Sequence, residues 1–512
     1  MSEPARDRRA PCLIGVGRRT WHPADVGPDG APEPIEMWEE VARAAAADAS
    51  APGCLRSLES LQVVYCQAWE YDDPPGRLAG RLGADPTHTA YSGIGGSVPQ
   101  MLVASAAEAI GGGHLDLALV VGAEALATRR RAKKEGRRLA WSHAPEQRSP
   151  FPFDVPVHPG EAAHQIHQAY LTFAMFDNAR RAHRGTGLAE HRDQLGRLLS
   201  PMTGRAAAQP EHAWFPVART PGEITTPTAE NRMVAYPYTK LMTAILDVDM
   251  AAGLLLASDA RADDLGVPLE HRVYLRGWGY AEDPPHVAAR RDLWRSGSME
   301  VVGAAATRAA GVGPDDLAHL DLYTCFASSP CFALDALGVD VEAACAPGPT
   351  PPDRPVTVTG GLPYHGGPGS NYMTHGIAAL AETLRADPGS YGMVTGVGMH
   401  MMRHVAAVWS TVPGRLEPPD PAALARAVVE RQPLLPVVAR GEGAATVATY
   451  SVLHGRDGAP EWAALVCDLP DGTRCYARME DPEALAAAEV DELIGQPVLL
   501  ATTDGGVNWA VT

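Results

Sequence analysis

Cysteine is scarce: eight in 512 residues, with no CxxC pair among Cys12, Cys54, Cys66, Cys325, Cys331, Cys345, Cys467 and Cys475. A secreted disulfide framework is denser and usually shorter, so these read as free thiols in a reducing cytoplasm. No stretch approaches the about 18 uninterrupted apolar residues of a membrane span. The start, Met1 to Arg9, is polar and basic with no apolar run behind it, so neither a span nor a signal peptide is expected. Basic residues are outnumbered, 43 Lys and Arg against 61 Asp and Glu, for a net charge of −18. Such an anionic excess repels phosphate backbones and argues against a general nucleic-acid binder. Aromatics make up 6%, but 46% hydrophobic and 20% charged residues exclude global disorder and collagen-like or coiled-coil architecture. The chain is too long for one ordinary core and suits two or three domains.

What is present is an order of elements that recurs. Glu36 to Asp48 reads as helix, Leu61 to Cys66 as strand and Gly76 to Leu82 as a short helix. The Gly-rich turn Ser92-Gly93-Ile94-Gly95-Gly96-Ser97 follows, then an Ala-rich helix from Pro99 to Ile110 and a strand from Leu115 to Val121. The second pass has the same plan: helix Met299 to Ala310, strand His319 to Tyr323 and helix Ser328 to Leu337. A Gly-rich turn from Gly360 to Ser370 precedes a helix, Asn371 to Arg385, with Met373, Ile377, Leu380 and Leu384 on one face, and a strand, Tyr391 to Thr395. Alternating helices and near-continuous apolar strands predict mainly parallel sheets covered on both faces. Two such units predict a duplicated α/β core.

Ala125 to about Ala235 is irregular and rich in His, Arg and Pro, as a large inserted loop region would be. From about Pro413 the texture changes. Pro418-Pro419-Asp420-Pro421 reads as a linker, followed by a helix and the short strands Ala444 to Leu453, Trp462 to Cys467, Arg474 to Arg478 and Pro497 to Thr502. Turn signals at Gly455-Arg456-Asp457-Gly458, Asp471-Gly472 and Asp504-Gly505-Gly506 suit a small antiparallel barrel.

Both Gly-rich turns lead into a helix N-terminus, whose unpaired N–H groups and positive dipole end favour an oxyanion or a thiolate. Ser97 is placed to cap the first of these helices and Pro99 suits its first turn. The run Arg129 to Arg138 is the strongly basic one in an acidic protein, read either as a solvated face or as a clamp for phosphates. His158, Glu161, His164 and His167 lack a matching Cys or Asp set, so no metal site is expected. Asn231, Lys240 and Asp249 read as structural or substrate-lining.

The duplicated core, DVDMAAGLLLAS before the second half, YTCF (Tyr323 to Phe326) and GGLPYHGGPG (Gly360 to Gly369) together resemble the thiolase superfamily. Within it they are most similar to sterol-carrier-protein-type thiolases and to actinobacterial thiolase-like proteins with an OB-like C-terminal domain. The resemblance covers essentially the whole chain. It implies an α/β thiolase fold of duplicated αβαβα halves in five layers, with an added C-terminal antiparallel β-barrel. The implied boundaries are 1–270 for the first half with its insertion at about 125–235, 271–412 for the second, and 413–512 for linker and barrel. A cytoplasmic homodimer is implied too, without a membrane or nucleic-acid partner.

The departures from the family are chemical. The nucleophilic Cys expected just before the first Ala-rich helix falls on Gly93 or a neighbour, and no cysteine lies between Cys66 and Cys325. The family's GHP histidine falls near Gly367, with His365 two residues away. The CxG element reads VTGVG around Gly396, and HDCF reads YTCF, so Cys325 survives while Tyr323 replaces His. Without the Cys, a ping-pong acyl-enzyme has no atom to carry the acyl group. What the resemblance implies is an acyl-CoA or acyl-carrier thioester as substrate and no tightly bound cofactor. Ser92, Gly93, Ser97, Gly367 and Gly396 would line the site, and Arg129, Arg130 and Arg131 would hold coenzyme A phosphates. His365, Tyr364, Tyr323 and Cys325 would carry the chemistry, as a carbon–carbon lyase or an unusual acyltransferase. A non-catalytic binding or assembly subunit is the alternative.

Overall fold

A computed structural model describes residues 6–345, 355–503 and 505–511. The first five residues of the polar start, and Asp504 of the expected last turn, lie outside the described residues. The first half runs β1 (Pro11–Thr20), α1 (Pro34–Asp48), β2 (Ser60–Val63), α2 (Pro74–Leu82), β3 (His88–Tyr91), α3 (Val98–Gly111) and β4 (Leu117–Ala125). After an insertion it closes with β7 (Asp249–Ser258) and α9 (Asp259–Asp264). The insertion carries α4 (Leu126–Lys134), α5 (Pro159–Ala163), α6 (Ala169–His183), α7 (Leu188–Ala207), α8 (Pro221–Thr225), β5 (Met233–Ala235) and β6 (Tyr238–Thr239). The second half runs β8 (Val273–Glu282), α10 (Gly297–Ala310), β9 (Leu317–Asp321), α11 (Ser328–Ala336), α12 (Val341–Cys345), α13 (Tyr372–Ala386), β10 (Tyr391–Gly398) and β11 (Arg403–Ser410).

Strand pairing repeats between the halves. β1 is antiparallel to β7, β7 antiparallel to β4, and β4 parallel to β2. Likewise β8 is antiparallel to β11, β11 antiparallel to β10, and β10 parallel to β9. A pseudo-twofold axis therefore passes between β1 and β8, which meet only at Cys12↔Tyr274 and Leu13↔Val273. On the nine-stranded sheet α3 and α13 pack against each other and against strands of both halves, while α1 packs on β1, β7 and β4 and α10 on β8 and β11. This is the five-layered, duplicated α/β arrangement. The sheets are mixed rather than mainly parallel, a correction with a simple cause: a strand buried on both faces shows the same apolar run whichever way its neighbours point.

Close packing repeats as well. A Cβ at Gly15 or Gly17 would overlap the Ala45 or Val41 carbonyl of α1, and one at Gly277 would overlap the Ala306 carbonyl of α10. Glycine at these positions lets each outer helix lie directly on its sheet.

The insertion is more regular than expected. α6 is buried from Leu171 to Arg181 without interruption, so it shows no amphipathic stripe, and α7 contains Gly196, Pro201 and Gly204, which read as breakers. After α14 (Pro421–Arg431), strands β12 (Gly443–His454), β13 (Pro460–Asp468), β14 (Arg474–Met479), β15 (Pro497–Thr502) and β16 (Asn508–Val511), with α15 (Pro482–Ala487), form a closed barrel in the order β12-β13-β14-β16-β15-β12. The β14–β16 pair is parallel, so the barrel is not wholly antiparallel, and β5 extends β12 from the insertion. Polar bolts fix the barrel: Tyr476 Oη donates to Glu161 at 2.6 Å, Asn508 N donates to His164 Nε2 at 2.8 Å, and Arg181 pairs with Glu492 at 2.6 Å. Among the described residues no helix is long and apolar enough to cross a membrane.

Candidate functional site

The strands β2, β3 and β4 are parallel, and the turn after β3 lies at their C-terminal ends, the usual place for ligands in an α/β sheet. Ser92 Oγ accepts from Tyr65 N at 2.8 Å and donates to the Gly93 carbonyl at 2.9 Å, so it staples the turn. Gly93 is exposed, with nothing within 4 Å of where a Cβ would stand. Ser97 is buried but does not cap α3: its backbone is already helical (φ −85°, ψ −15°), outside the extended geometry that lets a cap hydroxyl reach back. Among the described residues the Gly96 and Ser97 amides have no hydrogen-bond partner, and they stand at the positive end of α3.

Three segments converge on that helix tip. Ser370 Oγ, from the second Gly-rich turn, accepts from Gly95 N at 3.0 Å. From the β10–β11 side, a Cβ at Gly396 would lie 3.1 Å from the Gly96 carbonyl, and one at Gly398 would lie 3.5 Å from Ser97 Oγ. The third is Tyr323, just after β9. A Cβ at Gly96 would overlap its hydroxyl, so only glycine lets this phenol seat on the tip of α3. Tyr323 is 5% exposed, and burial raises its pKa well above the usual phenol value, keeping the hydroxyl protonated.

Cys325 is half-buried, with its Sγ 3.2 Å from Ser329 Oγ. Burial pushes its thiol up to about 12, so no thiolate forms near neutral pH. The neighbouring Phe326 packs on Phe173 of α6 at 4.6 Å between ring centroids. Behind Tyr323, the Tyr372 ring meets it edge-on at 5.4 Å, and Tyr372 Oη lies 2.6 Å from Thr359 Oγ1. His365 stacks edge-on to Tyr372 at 5.9 Å and is 0% exposed, and among the described residues neither ring nitrogen has a partner. Burial, then Arg18 and His212, press its pKa well below the ordinary histidine value. Tyr364 is buried too, its hydroxyl unpartnered and Arg219 the charge that bears on it. Of the expected constellation, then, Tyr323 borders the helix tip, Cys325 follows two residues on beside Ser329, His365 lies behind Tyr372, and Tyr364 is sealed within reach of the Arg219 charge. Gly367 is held by its N–H to the Ile245 carbonyl at 2.9 Å.

Residues 425–504 match the family described as thiolase-like protein type 1 additional C-terminal domain. A solved structure of a monomeric SCP2-thiolase-like protein type 1 from Mycobacterium smegmatis is 29% identical, with TM-score 0.84, over 99% of this chain and 100% of that one. Fold and C-terminal domain together support a thiolase-superfamily, SCP2-thiolase-like assignment for this chain. A second solved structure, of an Ltp2-ChsH2(DUF35) aldolase, shares the fold at 17% identity and TM-score 0.58, covering 78% of this chain and 98% of that one. No curated protein matches.

Three arginines of the basic run make contacts within the chain. Arg129 Nη1 donates to the Gln67 carbonyl at 2.6 Å, Arg130 pairs with Asp247, and Arg131 Nη2 reaches the Gly27 and Pro28 carbonyls at 3.3 Å. These contacts clamp α4 to the first half. His158 caps α5, and Asn231 Nδ2 bonds the Ile224 carbonyl at 2.9 Å. Asp249 accepts from Thr128 Oγ1 at 2.7 Å.

Two further titratable residues carry little sequence signal. His400 sits on the β10–β11 turn between Met399 (φ 57°) and Met401 (φ 49°), non-glycine residues in the left-handed region, a strain that recurs at functional sites. It is half-buried, its Nδ1 lies 3.0 Å from Thr172 Oγ1, and burial lowers its pKa. Glu124, at the end of β4, is fully buried, accepts from Gln67 N and Ala68 N, and is raised by burial to about 7. It packs where a Cβ on Gly369 would lie. The only pointer to His400 along the chain is its place two residues beyond VTGVG; Glu124 sits unmarked in an apolar run.

Proposed function

We propose that this thiolase-like protein binds a coenzyme A or acyl-carrier thioester at the tip of α3 and makes or breaks a carbon–carbon bond there by proton transfer, without an acyl-enzyme. The Tyr323 hydroxyl seated on Gly96 carries this reading. It puts a protonated donor beside free amides at the positive end of a helix, an arrangement suited to a thioester enolate oxygen. In retro-aldol cleavage of a β-hydroxyacyl thioester, a base takes the β-hydroxyl proton and the Cα–Cβ bond breaks. Its electron pair becomes the enolate of the shorter thioester, a proton returns to Cα, and an aldehyde or ketone leaves. His400, neutral through burial, is the proton acceptor in this reading. The second solved structure, being that of an aldolase, lends the reaction class to this proposal. The mechanism so written uses no resident cofactor.

The test is a panel of β-hydroxyacyl- and β-ketoacyl-CoA esters analysed by mass spectrometry. The expected result is cleavage or condensation product with no acyl adduct on any cysteine; an adduct on Cys325 would overturn the non-covalent route. A base with a depressed pKa stays deprotonated further into acid. The acid limb of kcat/KM is therefore expected to have its midpoint below 6.5 and to vanish in His400→Gln.

A second reading, a binding or assembly subunit without turnover, is favoured by the sealing of His365 and Tyr364 from solvent. Thioester binding by calorimetry with no product from any ester would select it. A homodimer through the open edge of β3, whose Tyr91 is 37% exposed, belongs to this proposal as well. Sedimentation as a monomer, the state named for the M. smegmatis protein, would remove it.

A further inference from the structure

Outside the site just described lies a cleft of about 490 Å³, between the end of β1 and residues 210–212, with Arg18 and His212 in its wall. Arg18 is nearly sealed, its side chain 3% exposed. One arm pairs with Glu382 while the other, Nη1, is buried without a partner. His212 turns Nε2 toward the exposed Glu211 at 3.8 Å and leaves Nδ1 buried and unpartnered. The groups next inward are of the same kind. Trp214 N donates to the His365 carbonyl at 2.8 Å, tying the 212–214 strip to His365. His375 lies two turns before Glu382 on the same face of α13, and its ring is 5.3 Å from that of His365. Both imidazoles are buried, with neither nitrogen partnered in either ring. Among the described residues six nitrogens thus lack hydrogen-bond partners: Arg18 Nη1, His212 Nδ1, and both ring nitrogens of His365 and His375.

Leaving such groups unpaired in a protein interior is costly. The carboxylates in reach do not cover that cost: Glu382 is taken by the other arm of Arg18, and Asp25 and Glu211 lie exposed at the rim. A metal cation is disfavoured by the adjacent guanidinium, and among the described residues no group of three or more His, Cys, Asp or Glu side chains is placed to hold one. Each neutral imidazole keeps one ring N–H and Arg18 its guanidinium N–H, and the complement of such donors beside a buried cation is an anion with oxygen acceptors.

We infer that this cleft binds a small oxyanion, the end of a phosphate or carboxylate group, on Arg18 and His212, with His365 and His375 as the donors behind it. Neither Tyr323 nor His400 takes part, so the inference stands apart from the proposed reaction. Because His365 touches Tyr372, which touches Tyr323, an anion here would brace Tyr323 from behind.

The test uses the full-length protein at constant ionic strength set with chloride, titrated in separate arms with inorganic phosphate and with propionate. Binding is read by calorimetry, and the histidine ring signals by NMR. A saturable response to either anion with shifted ring signals is expected, weakened about tenfold or more in Arg18→Met. The responding arm tells phosphate from carboxylate. His212→Gln, which leaves the Arg18–Glu382 pair intact, gives the same reading if Arg18→Met fails to fold. No saturable response in either arm, or equal affinity in the wild type and in the folded variant, overturns the inference.

Discussion

Replacing Tyr323 with Phe is expected to lower kcat on the responsive thioester by about 100-fold, the scale of losing one oxyanion donor in a water-excluded site. Thioester binding and the melting temperature should hardly change. The phenol meets Tyr372 through its ring, which Phe keeps, and its hydroxyl is the part seated on Gly96. Because burial holds that hydroxyl protonated, its loss removes a donor rather than a charge, and the deficit should be the same across neutral pH. Steady-state kinetics at saturating substrate decides the matter, since a group acting only on the enolate lowers kcat and kcat/KM together. An unchanged kcat would take Tyr323 out of the chemistry and leave the helix amides to act alone.

The second large effect concerns stability and tests the duplication. Gly277→Ala places a methyl group into the Ala306 carbonyl and within 2.9 Å of Ala310 N, all backbone of α10. A helix backbone cannot swing aside as a side chain can, so α10 must lift from β8. The expected cost is about 3 kcal/mol, at the upper end for overpacking. Gly15→Ala should cost a similar amount, because Gly15 meets Ala45 of α1 in the same way across the pseudo-twofold axis. Gly80→Ala is the contrast. It lies exposed within α2 with nothing within 4 Å of the added methyl, and should stabilise by about 0.5–1 kcal/mol through helix propensity. Urea midpoints of the three variants check this. Equal and small losses at Gly15 and Gly277 would mean the outer helices do not rest on the sheets as closely as the glycines imply.

Much of this architecture is legible residue by residue. The expected helix Pro99 to Ile110 is α3, the helix Met299 to Ala310 falls within α10, and all four expected barrel strands are present. Each has a local signature: an apolar face at helical spacing, or a short β-rich run closed by Gly and Asp. β1, β3, β8, β11 and β16 have none that stands out. β3 and β16 are four residues long, and β1 and β8 are interrupted by the glycines that admit α1 and α10, so they look like loop text. α6 hides for the opposite reason, being buried on every side.

Read without coordinates, the chain already declares what this protein lacks and roughly where. The cysteine before α3, the cysteine of the β10–β11 element and the histidine at Gly367 are absent in any conformation, since composition along a chain does not depend on folding. What stands in their place was settled only by the fold. Tyr323 reaches Gly96, His400 is held beside Thr172, and His365 is sealed behind Tyr372 rather than opened to substrate. The Thr172–His400 contact alone joins residues 228 positions apart. Such contacts are set by how distant elements pack, here α6 of the insertion against the β10–β11 turn, which no local pattern encodes.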